Sequence, residues 1–411
     1  MSLKNVLAVA LGIFSAIGGF VDIGDLVFNT QAGATFGFQL LWVVVIGVLG
    51  IIVYSEMCGR VAAIAKRPVF DLVRERTGFG AALGTLVASE IVNLMTCAAE
   101  IGGVAICLKL LSGLPYRVLI PIAVLGLVVA SWVLPFRWIE RVFGYGGLCL
   151  LVFAVAAIKL HPKWSQVAHG FVPGSHSGGT LPVYLYFVVG LFGAAMTPYE
   201  VYFYSSGVVE DRWGPKDLGL NKVTAIIGYA LGGFLSFALM IVAGVVFLPK
   251  GISPQFLGTP ALAVQHVFGQ AGLLLALVGI LFAVGGAAIE TSFAGAYNLA
   301  QFFGWRWGKK ERPANAARFT LSWLMIFALA LLVVMTGFDP VKLTEYSVIF
   351  SVVALPLTYL PILLIANDHA YMGAQVNGKL ANFLGVLYFF LIVVIAVAAI
   401  PLMLLTHGGQ G

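Results

Sequence analysis

Apolar residues run along this chain in long blocks, separated by short clusters of Gly, Pro and charged residues. The blocks are about 20 residues or longer, the length an α-helix needs to cross a hydrocarbon core of about 30 Å. The pattern predicts eleven spans, near 6–30, 37–59, 80–112, 118–135, 139–160, 181–209, 221–248, 270–303, 316–337, 343–367 and 380–406. A membrane β-barrel would instead show segments of about ten residues with alternating polarity. In lipid every backbone polar group needs an internal partner, which leaves helices as the architecture. The opening MSLKNVLAVALGIF looks like a signal peptide, but no small-residue cleavage site follows, so it is expected to run on into the first span.

The informative positions are the polar ones inside the spans. Span one contains Gly18-Gly19-Phe20-Val21-Asp22-Ile23-Gly24-Asp25-Leu26-Val27-Phe28, and span six contains Gly193-Ala194-Ala195-Met196-Thr197-Pro198-Tyr199-Glu200-Val201-Tyr202-Phe203. A constant offset of 175 superposes Gly18 on Gly193, Asp22 on Thr197, Asp25 on Glu200 and Phe28 on Phe203. Each segment joins a helix breaker (Gly24, Pro198) to polar side chains at mid-span. Paired interruptions, one in each half of a membrane protein, mark the binding site of a transporter. The two spans are five apart, an odd number, so the halves run in opposite directions through the bilayer. An unwound stretch frees carbonyl oxygens, which lipid tolerates only when they are buried in protein or coordinate a ligand.

The acids within the spans are Asp22, Asp25, Glu90, Glu100, Glu200 and Glu290, against Lys109 near the end of span three. A carboxylate at mid-membrane costs at least ~2.5 kcal/mol on insertion scales. Acids without basic partners describe a route or site for positive charge, above all Asp22 and Asp25, three residues apart on a broken helix. Glu90 reads first as a hydrogen-bonded structural carboxyl. Protons compete with a cation for such a pair, so affinity should fall between about pH 7 and 5.

Composition narrows the picture further. The chain is 61% hydrophobic and 10% charged, whereas a soluble domain carries about 25% charged residues. The net charge of +6 does not point to nucleic acid, because 17 of the 23 Lys and Arg fall on one side of the predicted spans. That asymmetry places the N-terminus in the cytoplasm. The four cysteines (Cys58, Cys97, Cys107 and Cys149) lie in or beside apolar runs and read as packing residues. Glu56 and Arg60 suit an i, i+4 pair at the end of span two. Glu290-Thr291-Ser292 either lines the pathway or cross-links helices. Gly102-Gly103, Gly232-Gly233 and Gly285-Gly286 predict close helix contacts, and Tyr184 to Phe187 an aromatic belt at the membrane interface. The polar segment from His161 to Pro182, with His169 and His176, reads as a solvated outer loop.

At these residues the chain resembles the NRAMP family of divalent metal transporters. Asp22-Ile23-Gly24-Asp25 is similar to the family's first-span Asp-Pro-Gly-Asn, Thr197-Pro198-Tyr199-Glu200 to its sixth-span Met-Pro-His-Asn, and Ala99-Glu100-Ile101-Gly102 to its Ala-Glu-Val-Gly. Leu41-Trp42 and Ser55-Glu56 to Arg60 continue the match. The resemblance implies an all-α, leucine-transporter-like fold: inverted five-helix repeats over 1–160 and 181–367, an additional span over 380–406, and broken helices one and six. It also implies a metal site of Asp22, Asp25, the Ala194 carbonyl and Thr197, with Gly193, Tyr199, Glu200, Glu100 and Cys97 around it or along the pathway.

Two departures from the family pattern set the expected function. The family's Asn and Met ligands are replaced by Asp25 and Thr197, giving an anionic, all-oxygen site. Such donors suit Mg²⁺ first and Mn²⁺ next, and resemble the NRAMP-related magnesium transporter branch. The family's proton-coupling Asp and His are replaced by Cys97 and Tyr199, whose ordinary pKa values lie above neutrality. The expectation is uncoupled transport by alternating access. Spans one and six would rock against three, four, eight and nine, in a monomer of the bacterial inner membrane. The cation is cargo, no cofactor is expected, and the partners are the metal and the bilayer, with no nucleic acid. The alternative is a Na⁺- or H⁺-coupled amino-acid-like symporter on the same fold. An intramembrane enzyme fits poorly, since two Asp on one helix break do not resemble a dyad drawn from separate helices.

Overall fold

A computed structural model of the chain describes residues 21–134, 136–174, 178–254 and 256–409. Residues 6–20 of the expected first span, including Gly18, Gly19 and Phe20, lie outside it, as does His176. The second half of span one is α1 (Ile23–Phe36), followed by α2 (Leu41–Ala65), α3 (Val69–Thr77), α4 (Phe79–Ser112), α5 (Tyr116–Val133), α6 (Phe136–Gly147) and α7 (Leu151–Lys159). A short α8 (Trp164–His169) leads to α9 (Leu181–Ala195) and α10 (Pro198–Glu210), the two halves of span six. Then come α11 (Leu218–Val246), α12 (Thr259–Phe303), α13 (Ala317–Met335), α14 (Pro340–Ala366), α15 (His369–Met372) and α16 (Lys379–Leu405). Among the described residues, ten helical segments are long and apolar enough to cross a membrane.

The helices form two groups. In one, α4 and α12 lie along each other, with α5 and α13 against them; in the other, α1 packs on α9 and α11, and α2 on α9, α10 and α11. Helix α14 touches both groups and carries α16 on its flank. Small residues permit these approaches. A Cβ on Gly33 would overlap the Met240 carbonyl oxygen, so α1 and α11 meet backbone to backbone there. The expected glycine contacts are also present: Gly102 faces Pro340, Gly103 faces Ile23 and Val284, Gly233 faces Val48, and Gly285 and Gly286 face Phe143.

Several local expectations change. Residues 69–77 and 164–169, expected as connections, form short helices too brief for a span-length pattern. Helix α3 buries Val69, Phe70, Leu72 and Val73 and leaves Arg74, Glu75 and Arg76 exposed. Helix α12 begins eleven residues before the expected 270 and is broken at Gly269, where φ is +63°. The aromatic run is not an interface belt. Tyr184, Tyr186 and Phe187 are buried, because this face of α9 turns inward onto α1. The rings of Phe36 and Tyr184 meet edge-on at 5.4 Å, and those of Phe28 and Tyr186 lie tilted to each other at 5.9 Å. Glu56 and Arg60 do pair, Nε to Oε1 at 3.0 Å and Nη2 to Oε2 at 3.2 Å. Arg60 also donates to the Gln375 carbonyl and to Asn377 Oδ1, tying α2 to the segment before α16.

Candidate functional site

Helix α1 starts at the first acid of the pair. Asp22 is the N-cap, with extended backbone (φ −87°, ψ −179°), and its Oδ1 accepts from the Asp25 amide at 3.0 Å. A side-chain oxygen satisfying a first-turn N–H is ordinary capping, and the positive helix end favours both acids. The polar residues at the break therefore help to start the helix. Asp25 Oδ1 accepts from Ser236 Oγ on α11 at 3.1 Å and from Asn29 Nδ2 at 3.2 Å. Both acids are buried, at 2% and 7% exposure.

Span six breaks for a reason written in Pro198. Proline lacks an N–H and disfavours a helical residue before it. Helix α9 accordingly stops at Ala195, Met196 and Thr197 leave helical geometry, and α10 restarts at Pro198. In an unbroken helix the Ala194 carbonyl would accept from the N–H of residue 198, which here does not exist. The Gly193 carbonyl, by contrast, is taken by the Met196 amide at 3.3 Å. Of the two carbonyls expected near the site, Ala194 is thus the one released from the helical ladder.

The start of α1 meets the break in span six. A Cβ built on Gly24 would lie 3.0 Å from Asp22 Oδ1, 3.6 Å from the Ala194 methyl and 2.9 Å from Val348 of α14. Only hydrogen fits between span one, span six and α14 at that point. Around Asp22, as its electrostatic neighbours, stand Glu100, Tyr199 and Glu200. Glu290 neighbours the latter three. Glu100 on α4 is fully buried, and its Oε2 accepts from Thr291 Oγ1 of α12 at 3.0 Å. Tyr199 lies beside Asp22 and Thr197 beside Glu200, but neither hydroxyl closes to a standard hydrogen bond.

Polar atoms without partners line this region. Thr197 Oγ1, the Tyr199 hydroxyl and Glu100 Oε1 are all buried without a hydrogen-bond partner. Each such atom costs about 1–3 kcal/mol unless a ligand or water meets it. Nearby sulfur does not compete: the Met196 thioether packs towards Gly50 of α2, and Cys97 Sγ sits 3.7 Å from the Ala288 carbonyl. Among the described residues, no three His, Cys, Asp or Glu are placed to hold a metal together. A cation here would depend on two carboxylates, a carbonyl, hydroxyls and water.

The site therefore gathers Asp22, Asp25, Ala194, Thr197, Tyr199, Glu200 and Glu100, with Cys97 about one turn from Glu100 on α4. Glu90 is elsewhere: it faces Asn298 and the gap left by Gly295, between α4 and α12. Ser236 escapes a sequence reading because one Ser in an apolar run gives no signal. Asn29 had one available, its i+4 spacing from Asp25.

A helical bundle in which α1 starts at buried acids beside a broken span six has the form of a secondary transporter with the leucine-transporter-like fold. The chain belongs to the Nramp family: the model for natural resistance-associated macrophage protein-like proteins matches residues 12–401. A divalent metal cation transporter MntH of Deinococcus radiodurans is 25% identical over 379 residues, covering 89% of this chain and 83% of the relative. The protein of the same name from Mycobacterium tuberculosis is 26% identical over 388 residues, 90% of this chain and 86% of the relative. In structure, the chain is similar to the Eremococcus coleocola manganese transporter, with a TM-score of 0.77 at 21% identity, covering 95% of this chain and 85% of that one. Mhp1, a nucleobase-cation-symport-1 transporter in a closed conformation, aligns with a TM-score of 0.59 at 16% identity, over 97% and 91% of the two chains.

Proposed function

We propose that this protein carries a hard divalent cation across the membrane by alternating access, Mg²⁺ first and Mn²⁺ also, without coupling to protons. Family membership and the names of the MntH relatives support divalent metal as the cargo. The preference for a hard ion rests on one observation. Asp22, Asp25, Thr197 and the released Ala194 carbonyl present oxygen alone, while the adjacent Met196 sulfur is packed towards α2. Oxygen donors favour Mg²⁺ and Mn²⁺ over softer ions. Mg²⁺ also keeps several of its waters, which the unpaired Thr197, Tyr199 and Glu100 atoms would meet.

Asp22 and Asp25 supply charge, Ala194 and Thr197 neutral oxygen, and Glu100 and Glu200 a negative field around them. Spans one and six, with α2 and α11, move against the group built on α4, α5, α12 and α13. The multi-pass chain is assigned to a bacterial inner membrane as a monomer with a cytoplasmic N-terminus, its halves forming inverted repeats over 1–160 and 181–367. The deciding experiment is a flux panel in sealed vesicles with Mg²⁺, Mn²⁺, Ca²⁺ and Cd²⁺, and amino acids as controls. Mg²⁺ and Mn²⁺ flux with little Cd²⁺ is the expected result. Flux of Cd²⁺ without Mg²⁺ overturns the hard-ion reading, and flux of amino acids alone overturns metal transport.

A further inference from the structure

Asp25 does not present both of its oxygens to the site. Ser236 Oγ donates to Oδ1 at 3.1 Å, and Asn29 Nδ2 donates to the same atom at 3.2 Å. Asn29 is held for this task, since Nδ2 also donates to the Asp25 carbonyl at 2.9 Å. Ser236 and Asn29 are 2% and 1% exposed, so bulk water does not exchange with either donor. A carboxylate oxygen has two lone pairs, and two donors fill them. What remains for a cation is Oδ2.

We propose that Ser236 and Asn29 are positioning residues that restrict Asp25 to one-oxygen coordination and thereby select against Ca²⁺. The inference rests on the reading that Asp25 faces the transported cation. Ca²⁺ gathers six to eight oxygens at about 2.3–2.6 Å and commonly takes a carboxylate through both atoms. Mg²⁺ needs near-octahedral geometry at about 2.0–2.1 Å, keeps several waters and is served by single carboxylate oxygens. A carboxylate with one oxygen already filled from α11 and from its own helix therefore loses less for Mg²⁺ than for Ca²⁺.

Flux or binding of Mg²⁺ and Ca²⁺ is compared in vesicles holding the full chain, its Ser236→Ala and Asn29→Ala variants, and Ser236→Thr, which keeps the hydroxyl. Removing a donor returns a lone pair on Oδ1 to the site. The Ca²⁺-to-Mg²⁺ ratio is expected to rise about tenfold in Ser236→Ala, the scale of one hydrogen bond to a charged group. Asn29→Ala should move the ratio the same way, and Ser236→Thr should keep the wild-type ratio. An unchanged ratio in both alanine variants, with Mg²⁺ flux persisting, overturns the inference and leaves the transport reading standing. A parallel fall for both ions also overturns it, since a merely structural serine would act so. Absence of Mg²⁺ and Ca²⁺ flux from the unmodified protein removes the reading beneath it and the inference together.

Discussion

Asp22 has a structural role and a proposed ligand role that substitution can separate. Its Oδ1 caps α1, and its charge lies where the start of α1 meets the broken span six. Asn and Asp cap helices about equally well, and losing a cap altogether costs about 1 kcal/mol. Asp22→Asn should therefore keep the folded protein intact while metal flux falls by about a hundredfold, the scale of a lost charged ligand. Thermal unfolding in detergent checks the first half and vesicle uptake the second. Asp22→Asn with undiminished flux would show that Asp22 serves the helix alone. Thr197 tests the chemistry of the donor set. Thr197→Met places a thioether beside Glu200 and should shift preference towards Mn²⁺ and Cd²⁺. A competition series that kept the wild-type order would remove the main support for an oxygen-only site.

At the scale of elements, the packing depends on how closely α1 approaches its neighbours. Gly33 touches the backbone of α11 at Met240, which cannot give way as a side-chain tip can. Gly33→Val should part α1 from α11, destabilising the protein by about 1–3 kcal/mol, the range for overpacking. Gly207 is the control, lying in helix α10 with open space around it. Gly207→Ala should be neutral or stabilise by up to about 1 kcal/mol, the helix-propensity difference. A Gly33→Val melting temperature that did not fall, as for Gly207→Ala, would mean that helix propensity, not approach, governs this position. Where the closed contacts lie is also visible at this scale. Gln31 of α1 donates to Glu345 of α14 at 2.8 Å, and Gln301 of α12 donates to Ser206 of α10 at 2.8 Å. Under the proposed alternating access, the bond from Gln301 to Ser206 joins a moving element to the opposing group and has to break once per cycle.

Over the whole molecule the question is what drives transport. At the positions where the family resemblance implies proton carriers, the chain has Cys97, turned to the Ala288 carbonyl, and Tyr199 beside Asp22. Glu100 remains, bound through one oxygen to Thr291. A divalent cation entering at 100 mV, inside negative, gains about 4.6 kcal/mol, enough to drive uptake without a second ion. Vesicles loaded with a pH dye should stay at constant internal pH during metal uptake; acidification that tracks the metal would establish coupling. External pH acts separately. As it falls from about 7 to 5, protons begin to compete for Asp22 and Asp25, so apparent affinity should weaken and recover on return. Calorimetry showing no such dependence would argue against carboxylate ligands.

By itself the sequence determined the features that depend on neighbours along the chain. Block length specified lipid as the solvent and located the spans, as in Phe79–Ser112 and Lys379–Leu405, within a few residues. Pro198 specified the break in span six and, by its missing N–H, the freed carbonyl of Ala194. The placement of acids in apolar surroundings pointed to the region where Asp22, Asp25, Glu100, Glu200 and Glu290 gather. Tertiary structure decided what depends on residues far apart. The bond from Ser236 to Asp25 crosses 211 positions, and no periodicity encodes which serine of which helix will face a given acid. The inward turn of Tyr184, Tyr186 and Phe187, and the separation of Glu90 from the other acids, were settled by helix packing. Local propensity and hydropathy act over a few turns of chain, while partner choice across a bundle follows from which faces can approach closely.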